Sequence, residues 1–472
     1  MITTSTLDDS PTSSATSGKL FKGEQKHTFD RSKLLFNKYM HPNGETTKPE
    51  YADEDSSIVC EHWSVVTTIF EPSDAIIKQS NLNGWCICVV GDKKTPDEEY
   101  AELGKQKNVV VLTSEMQETL AYDFPLSSAL TWNHFGRKNF GFMYAIHHGA
   151  KVIWDFDDDN ILLANKHIYL LPRELIPPKK VVPDDPVLAH KYTGFTYVGF
   201  EPTRTSSLNT PEARRKLTEA KSIWPTTCGL VVNPYPLMGA TNSPCWPRGF
   251  PLECIQFNEI EFAVTNGKHA TKFNSSTIGV LQSLANHDPD VDAIYRLTQP
   301  LPFDFPLAIN THHKEENSNL PLVVPKGVYS PYNAQATLHM ENALWSLLLP
   351  ITVHGRISDI WRGYITTRLG QDIGMRLAFT PPMVAQFRNA HSYLADFDSE
   401  LPLYQQSLKL VEQLSAWKPS TACARSLPAR MEELWVFLYE HDYIQMDDVL
   451  LLQKWIQSLI KFGYDFPPII EG

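Results

Sequence analysis

The sequence predicts an α/β fold: a mostly parallel sheet flanked by helices, followed by a helical C-terminal subdomain. Three observations lead there. Short β-branched runs alternate with helical segments between Trp63 and Trp154, and strands joined through helices take right-handed crossovers into a parallel sheet. The fourth run passes straight into a carboxylate cluster, Asp155 to Asn160, where ligands bind in such sheets. After Pro381-Pro382 the apolar residues recur every three or four positions, which is helical periodicity.

The elements follow in order. Half of the first 20 residues are Ser or Thr, so residues 1–57 read as a flexible arm with too little apolar surface to offset ordering entropy. Trp63 to Phe70 is the first strand, ended by Pro72, with a short helix over Ser73 to Gln79. Trp85 to Val90 is the second, ending at Gly91-Asp92. Val109 to Leu112 is the third, followed by Thr113-Ser114 as caps for a helix at Glu115 to Leu120. Arg137 to Gly149 is helical, with Phe142, Met143 and Ile146 as one stripe and Gly149 as its stop. Lys151 to Trp154 is the fourth strand. Thr67, Thr68, Asp92 and the acidic cluster therefore share one edge of the sheet. The middle of the chain is mixed and Pro-bounded. In the tail, Tyr404, Leu408, Val411 and Leu414 keep helical spacing, as do Val449, Leu452, Ile456 and Leu459.

Composition restricts function without naming it. The 472 residues carry 42 Lys and Arg against 54 Asp and Glu, a net charge of −12, which argues against a sequence-independent grip on nucleic acid. The seven cysteines are scattered and lack paired CxxC spacing, so neither a zinc knuckle nor a dense disulfide framework is expected. Cys86 and Cys88 read as small hydrophobes on one face of a buried strand. No stretch is long and apolar enough to cross a bilayer, and no signal peptide is visible at the N-terminus.

The acidic cluster carries the functional argument. Four carboxylates within five residues, Asp155, Asp157, Asp158 and Asp159, repel one another at a sheet edge unless a cation compensates. Mg²⁺ and Mn²⁺ bind oxygen ligands and combine one or two carboxylates with substrate phosphates. Continued strand geometry would point Asp155, Asp157 and Asp159 to one side and Asp158 to the other.

Several blocks resemble the STELLO family of probable glycosyltransferases: Arg137-Lys-Asn-Phe-Gly141, Tyr144-Ala-Ile-His-His-Gly-Ala150, Val152-Ile-Trp-Asp-Phe-Asp-Asp-Asp-Asn160, Val89-Val-Gly-Asp-Lys-Lys-Thr-Pro96, Pro247-Arg-Gly-Phe-Pro-Leu252 and Val353-His-Gly-Arg-Ile-Ser-Asp-Ile-Trp-Arg362. The resemblance covers roughly residues 60 to 400. It implies a GT-A-like nucleotide-sugar-binding fold in which a DxD motif holds Mn²⁺ or Mg²⁺ on the sugar-nucleotide diphosphate. The implied donor is a nucleotide-diphosphate sugar, a UDP-sugar in preference to a GDP-sugar, and the acceptor is open. Plant members are Golgi membrane proteins associated with cellulose synthase, so Golgi association and membrane-bound glycan-synthesis partners are implied too. The corresponding organisation is an arm (1–57), a nucleotide-sugar and metal-binding region (58–270), its acceptor-side completion (271–385) and a helical subdomain (386–472).

Roles follow one residue at a time. Asp157 and Asp159 form the DxD pair, with Asp159 the direct metal ligand and Asp157 nearer the ribose, unless Asp155 shifts the register. Thr67, Thr68 and Asp92 end their strands where such a fold grips the nucleoside. Arg137 opens a helix, whose N-terminus attracts anions, and faces the diphosphate, with Asn139 as companion. His354 is the late-chain metal ligand or a structural histidine. Asp359 is the general base or the cap of a helix beginning at Ile360. Arg356 and Arg362 offset phosphate charge or pair with the acidic cluster. Arg248 lies on a lid over the donor. The alternative to an enzyme is a catalytically silent GT-A-like scaffold that organises polysaccharide-synthesising enzymes. A nucleotidyltransferase is disfavoured by the lack of a Gly-rich phosphate loop near the first strand.

Overall fold

The computed structural model describes residues 26–35, 58–163, 196–204, 215, 225–240, 244–257, 262–263, 271–305, 321–388 and 392–470. Segments between His62 and Gln386 build one large sheet. Its strands are β1 (His62–Thr68), β2 (Cys86–Gly91), β3 (Val109–Leu112), β4 (Val152–Phe156), β5 (Asn160–Leu162), β6 (Ile278–His287), β7 (Leu322–Val323), β8 (Ala336–Met340) and β9 (Arg376–Gln386). The order across the sheet is β7-β9-β6-β8-β4-β1-β2-β3, with β5 paired to β9.

β1, β2, β3 and β4 are mutually parallel, as alternation with helices requires. The expected parallel order stops at β4. β8 runs antiparallel to both β4 and β6, and β9 is parallel to β6 but antiparallel to β5 and β7. The sheet is therefore mixed in its second half. Two reversals restore direction, so β1, β2, β3, β4, β6 and β9 all point the same way. Thr68, Gly91, Phe156, His287 and Gln386 thus end their strands on one edge.

Local chemistry sets the helices. Ser73 caps α1 (Asp74–Ser80) by accepting from the Ile76 amide, and Thr113 caps α2 (Ser114–Thr119) through the Met116 amide. α3 (Lys138–His147) ends at Gly149, whose φ of +90° a side chain would strain. α3 lies so close to the sheet that a Cβ on Gly141 would meet Val65 Cγ1 at 2.8 Å and collide with Val90. Strand alternation splits the core. Trp63, Val65, Cys86, Cys88 and Val90 face α3 and the later helices; Val66, Ile87, Val89, Trp154 and Leu338 pack on the other face.

After α4 (Ala293–Thr298) comes α5 (Gly355–Asp372), which precedes β9, and the chain beyond β9 is helical: α6 (Tyr393–Ala416), α7 (Leu427–Glu440) and α8 (Met446–Lys461). Val449, Leu452, Ile456 and Leu459 are buried as their spacing predicts. On α6 the buried stripe is Leu403, Leu410, Val411 and Leu414, while Tyr404 and Leu408 are half-buried. α5 begins at Gly355 with His354 as its N-cap, so Asp359 lies inside the helix; its Oδ1 accepts from the Ile360 amide at 3.0 Å, but no helix starts there. Among the described residues no helix is long and apolar enough to cross a membrane.

Two further expectations need correction. Of residues 1–57, positions 1–25 and 36–57 lie outside the described residues, but 26–35 are docked on the helical tail. Phe29 is buried against Val436 and Val449, its amide donates to Glu440, and Arg31 pairs with Glu440 at 2.7 Å. That burial is what tethers a segment whose composition alone reads as an arm. Cysteines 26 residues apart also meet: Cys60 with Cys86, and Cys228 with Cys254 at a Cα separation of 5.2 Å. Cys86 is thus bonded as well as buried, because adjacent segments of the sheet bring Cys60 beside it. Cys88, Cys245 and Cys423 are free and buried.

Candidate functional site

At the carboxyl ends of β1, β2 and β4 a cleft of about 360 Å³ opens, lined by Thr67, Thr68 and Asp92 together with Asp157, Asp158 and Asp159. The strands converge here because their parallel register is continuous: Thr67 pairs with Val90, Thr68 with Gly91, and Val65 with Asp155. Phe70, Lys94, Asn133, His134 and Phe135 complete the walls.

The acidic cluster divides in two. Asp155 still belongs to β4 and is fully buried, with Lys138 Nζ at 2.6 Å and Arg362 Nη1 at 2.9 Å. It is a core carboxylate held between two cations, so it does not shift the DxD register into the cleft. β4 ends at Phe156, and Asp157 to Asp159 form a turn closed by the Asn160 amide on the Asp157 carbonyl at 3.1 Å. The turn ends strand alternation, which corrects the two-sided expectation: Asp158 lines the cleft together with Asp157 and Asp159. Its carboxylate accepts from the Thr68 hydroxyl at 2.5 Å. Asp159 accepts from Gln386 Nε2 at 3.0 Å and Asn160 Nδ2 at 2.9 Å, and Asp157 accepts from Lys138 Nζ at 3.2 Å.

The electrostatics follow from this crowding. Burial pushes the Asp157 carboxyl up to about 7; Lys138 opposes the rise, and Asp159, Asp155 and Asp158 add to it. Burial also raises Asp158 and Asp159, against the Thr68 hydroxyl in one case and Gln386 and Arg388 in the other. Burial works against charge on Lys138, yet Asp155 and Asp157 hold its ammonium above the usual range. Three carboxylates share this cleft, where Lys138 reaches Asp157 and Lys94 lines the wall; crowding of this kind is relieved by a cation. Among the described residues no group of three His, Cys, Asp or Glu side chains is placed to hold a metal alone. The donor set fits a hard divalent ion that draws its remaining ligands from phosphate oxygens and water.

In the same cleft Asp92 is buried and accepts from the Lys93 amide at 2.7 Å and the Asn133 amide at 2.8 Å. Thr67 donates to the Val90 carbonyl at 3.2 Å. His354 is exposed and neighbours the cleft wall: Gly355 packs against Phe135, and His354 feels His134 electrostatically. Burial, then Arg356 and His134, hold the His354 imidazole below its usual range.

Four expected site residues are committed elsewhere. Arg137 is buried; its guanidinium donates to Gln117 at 2.5 Å and the Leu130 carbonyl at 3.0 Å and stacks 3.7 Å from the Trp132 ring. It does not line the cleft, because its helix end faces the core. Asn139 exchanges hydrogen bonds with the backbone of Leu349, both at 2.8 Å. Arg248 is locked between Asp290 at 2.9 Å and Asp359 at 3.0 Å, so its loop is an anchor, not a lid. Asp359 is buried, and besides Arg248 it accepts from the Ala334 amide at 3.1 Å. A carboxylate with these partners has no path to a substrate hydroxyl, which removes it as the general base. Arg356 pairs with Asp396 and Glu400, and Arg362 with Asp155.

Sequence reasoning missed Lys138, Lys94 and Gln386. Lys138 and Lys94 sit inside the blocks Arg137–Gly141 and Val89–Pro96, and a lone lysine in an apolar helix was a usable signal. Gln386 reaches Asp159 only through the pairing of β9 with β5, which nothing local announces. A larger cavity of about 490 Å³ lies elsewhere, near Val280, Val324 and Arg376, and gathers no carboxylates.

Comparison with known proteins agrees with the resemblance seen in the local blocks. Residues 356–472 match the family model of STELLO glycosyltransferases. The chain is 26% identical over 423 residues to "Probable glycosyltransferase STELLO2" of Arabidopsis thaliana, covering 88% of this chain and 47% of that protein. It is 26% identical over 430 residues to "Probable glycosyltransferase STELLO1" of the same plant, covering 90% of this chain and 47% of that one. The chain thus spans about half the length of the curated relatives it matches. These likenesses support a glycosyltransferase.

Proposed function

We propose that this chain is a metal-dependent glycosyltransferase of GT-A-like type that takes a nucleotide-diphosphate sugar, with UDP the preferred nucleotide. The observation that carries the reading is the turn Asp157–Asp159, three carboxylates converging on a cleft at the carboxyl edge of the sheet. Asp157 and Asp159 would hold Mn²⁺ or Mg²⁺, with the remaining ligands drawn from phosphate oxygens and water; His354, which caps its helix by accepting from the Arg356 amide, does not line the cleft. The ion, when bound, neutralises charge on the leaving diphosphate. Thr67, Thr68 and Asp92 bind the nucleoside, Asp92 accepting from base or ribose. Lys138 fixes the turn by tying Asp157 to Asp155. In the reaction the bond from the anomeric carbon to the diphosphate breaks, a bond to an acceptor oxygen forms, the diphosphate departs with the electron pair, and the proton of the acceptor hydroxyl passes to water.

In this reading residues 58–270 form the donor side and 271–385 the acceptor side of one catalytic unit. Residence in the Golgi belongs to the same proposal, supported by the two cysteine pairs, since disulfides persist in oxidising compartments. The test is release of UDP or GDP from a panel of nucleotide sugars, with Mn²⁺ and a broad set of acceptors. UDP release that needs Mn²⁺ and is lost in Asp157→Ala/Asp159→Ala is expected. Nucleotide binding without release across the panel would instead identify a silent scaffold.

A further inference from the structure

The edge that carries the acidic turn does not end at Asp159. β6 and β9 finish on the same edge, and the Phe387 amide donates to the Asp159 carbonyl at 3.2 Å. Phe387 is 51% exposed, as is Phe70 on the cleft wall. It is not isolated. The His287 ring lies against it, centroids 4.5 Å apart and planes 33° from each other. His287 holds a φ of +71°, a left-handed conformation rare for a residue with a side chain. The conformation is fixed from both sides: the His287 amide donates to Asp304 at 2.8 Å, and its carbonyl accepts from the Phe303 amide at 3.0 Å. Backbone strain of this kind is concentrated at binding and catalytic positions.

Beside this ring pair stands Arg388. Its Nε is buried without a hydrogen-bond partner. Its nearest carboxylates, Asp290 at 3.7 Å and Asp288 at 3.9 Å, lie beyond hydrogen-bond reach. The edge therefore presents the exposed face of the Phe387 ring, with the His287 ring tilted against it, and beside it the partly exposed side chains of Arg388 and of Asp288, whose Oδ1 accepts from Arg296.

We propose that Phe387 and His287 form the acceptor platform and that the acceptor is a saccharide. A sugar ring has an apolar face of C–H bonds, which suits the negative face of an aromatic ring. Its rim of hydroxyls both donates and accepts, which suits an aromatic face bordered by charged side chains such as Arg388 and Asp288. The position fits as well: the nucleoside end of the cleft is at Thr67 and Asp92, so Phe387 lies past the diphosphate turn. The assignment of an acceptor role rests on the donor reading above, whereas saccharide binding by the platform is measurable without donor or metal.

The experiment is saturation-transfer NMR on the full chain with cellohexaose, xylohexaose and mannohexaose, in the absence of nucleotide and metal. At least one of the three should bind, with transfer through its ring C–H protons. Phe387→Ala should weaken that binding about tenfold, and Phe387→Tyr should retain it. Near-UV circular dichroism checks that both variants are folded. No binding by any of the three, or binding by Phe387→Ala equal to the parent, overturns the platform. A separate UDP titration of the parent protein reports on the donor site, so failure of one reading is distinguishable from failure of the other.

Discussion

Two neighbouring aspartates illustrate how position decides chemistry. Asp155, the last but one residue of β4, is closed between Lys138 and Arg362; Asp157, two residues on, keeps about a third of its side chain exposed in the cleft. Removing one partner from a buried charge leaves the other uncompensated, so Lys138→Met should cost about 3–5 kcal/mol of stability, measured by denaturant unfolding. Asp157→Asn should act in the opposite sense. An unfolded aspartate titrates near 3.9, while the folded Asp157 is raised to about 7. Between those values the folded chain keeps a proton that the unfolded chain gives up, so stability falls as pH rises through the window. Thermal melts of the metal-free protein from pH 4 to pH 8 should show that fall, and Asp157→Asn should flatten it. The sequence marked this cluster but could not divide it, because where β4 stops depends on pairing with β8 and β1. The same limit applies to Arg137, Arg248 and Asp359. Their residue types suit phosphate or proton chemistry, and only the packed structure shows each one already satisfied.

At the scale of elements, the parallel half of the fold was legible. Each of β1 to β4 is a β-branched run followed by a capping residue or a carboxylate, and each was found within two residues of its place. α3 depends on glycine rather than on amphipathicity: Gly141 lets the helix touch β1 and β2. Gly141→Ala should destabilise the protein by about 1–3 kcal/mol, read from its unfolding midpoint. The antiparallel β8 and the pairing of β5 with β9 were not legible, since long connections separate the partners and carry no turn signature. Nor was the docking of residues 26–35, whose contacts are made some 400 residues away. Phe29→Ala should cost about 3 kcal/mol locally. Hydrogen exchange should then rise in α7 and α8 around Val436 and Val449, and not in β1 to β4.

For the whole molecule, the architecture explains how a mixed sheet yields one reactive edge. Two successive reversals, at β8, return β6 and β9 to the direction of β1, β2 and β4. The strand ends from both halves then line up, with Gln386 from the late half bonded to Asp159 from the early half. The net charge of −12 gains a local meaning at this edge, where three carboxylates meet in one cleft. The central claim is that these carboxylates gather a divalent ion and a nucleotide together. Calorimetric titration of UDP into the protein, with Mn²⁺ and with chelator, tests it most directly. Binding that requires Mn²⁺ and disappears in Asp157→Ala/Asp159→Ala is the predicted result; UDP binding unaffected by chelator or by that double substitution, or none in any condition, would contradict it.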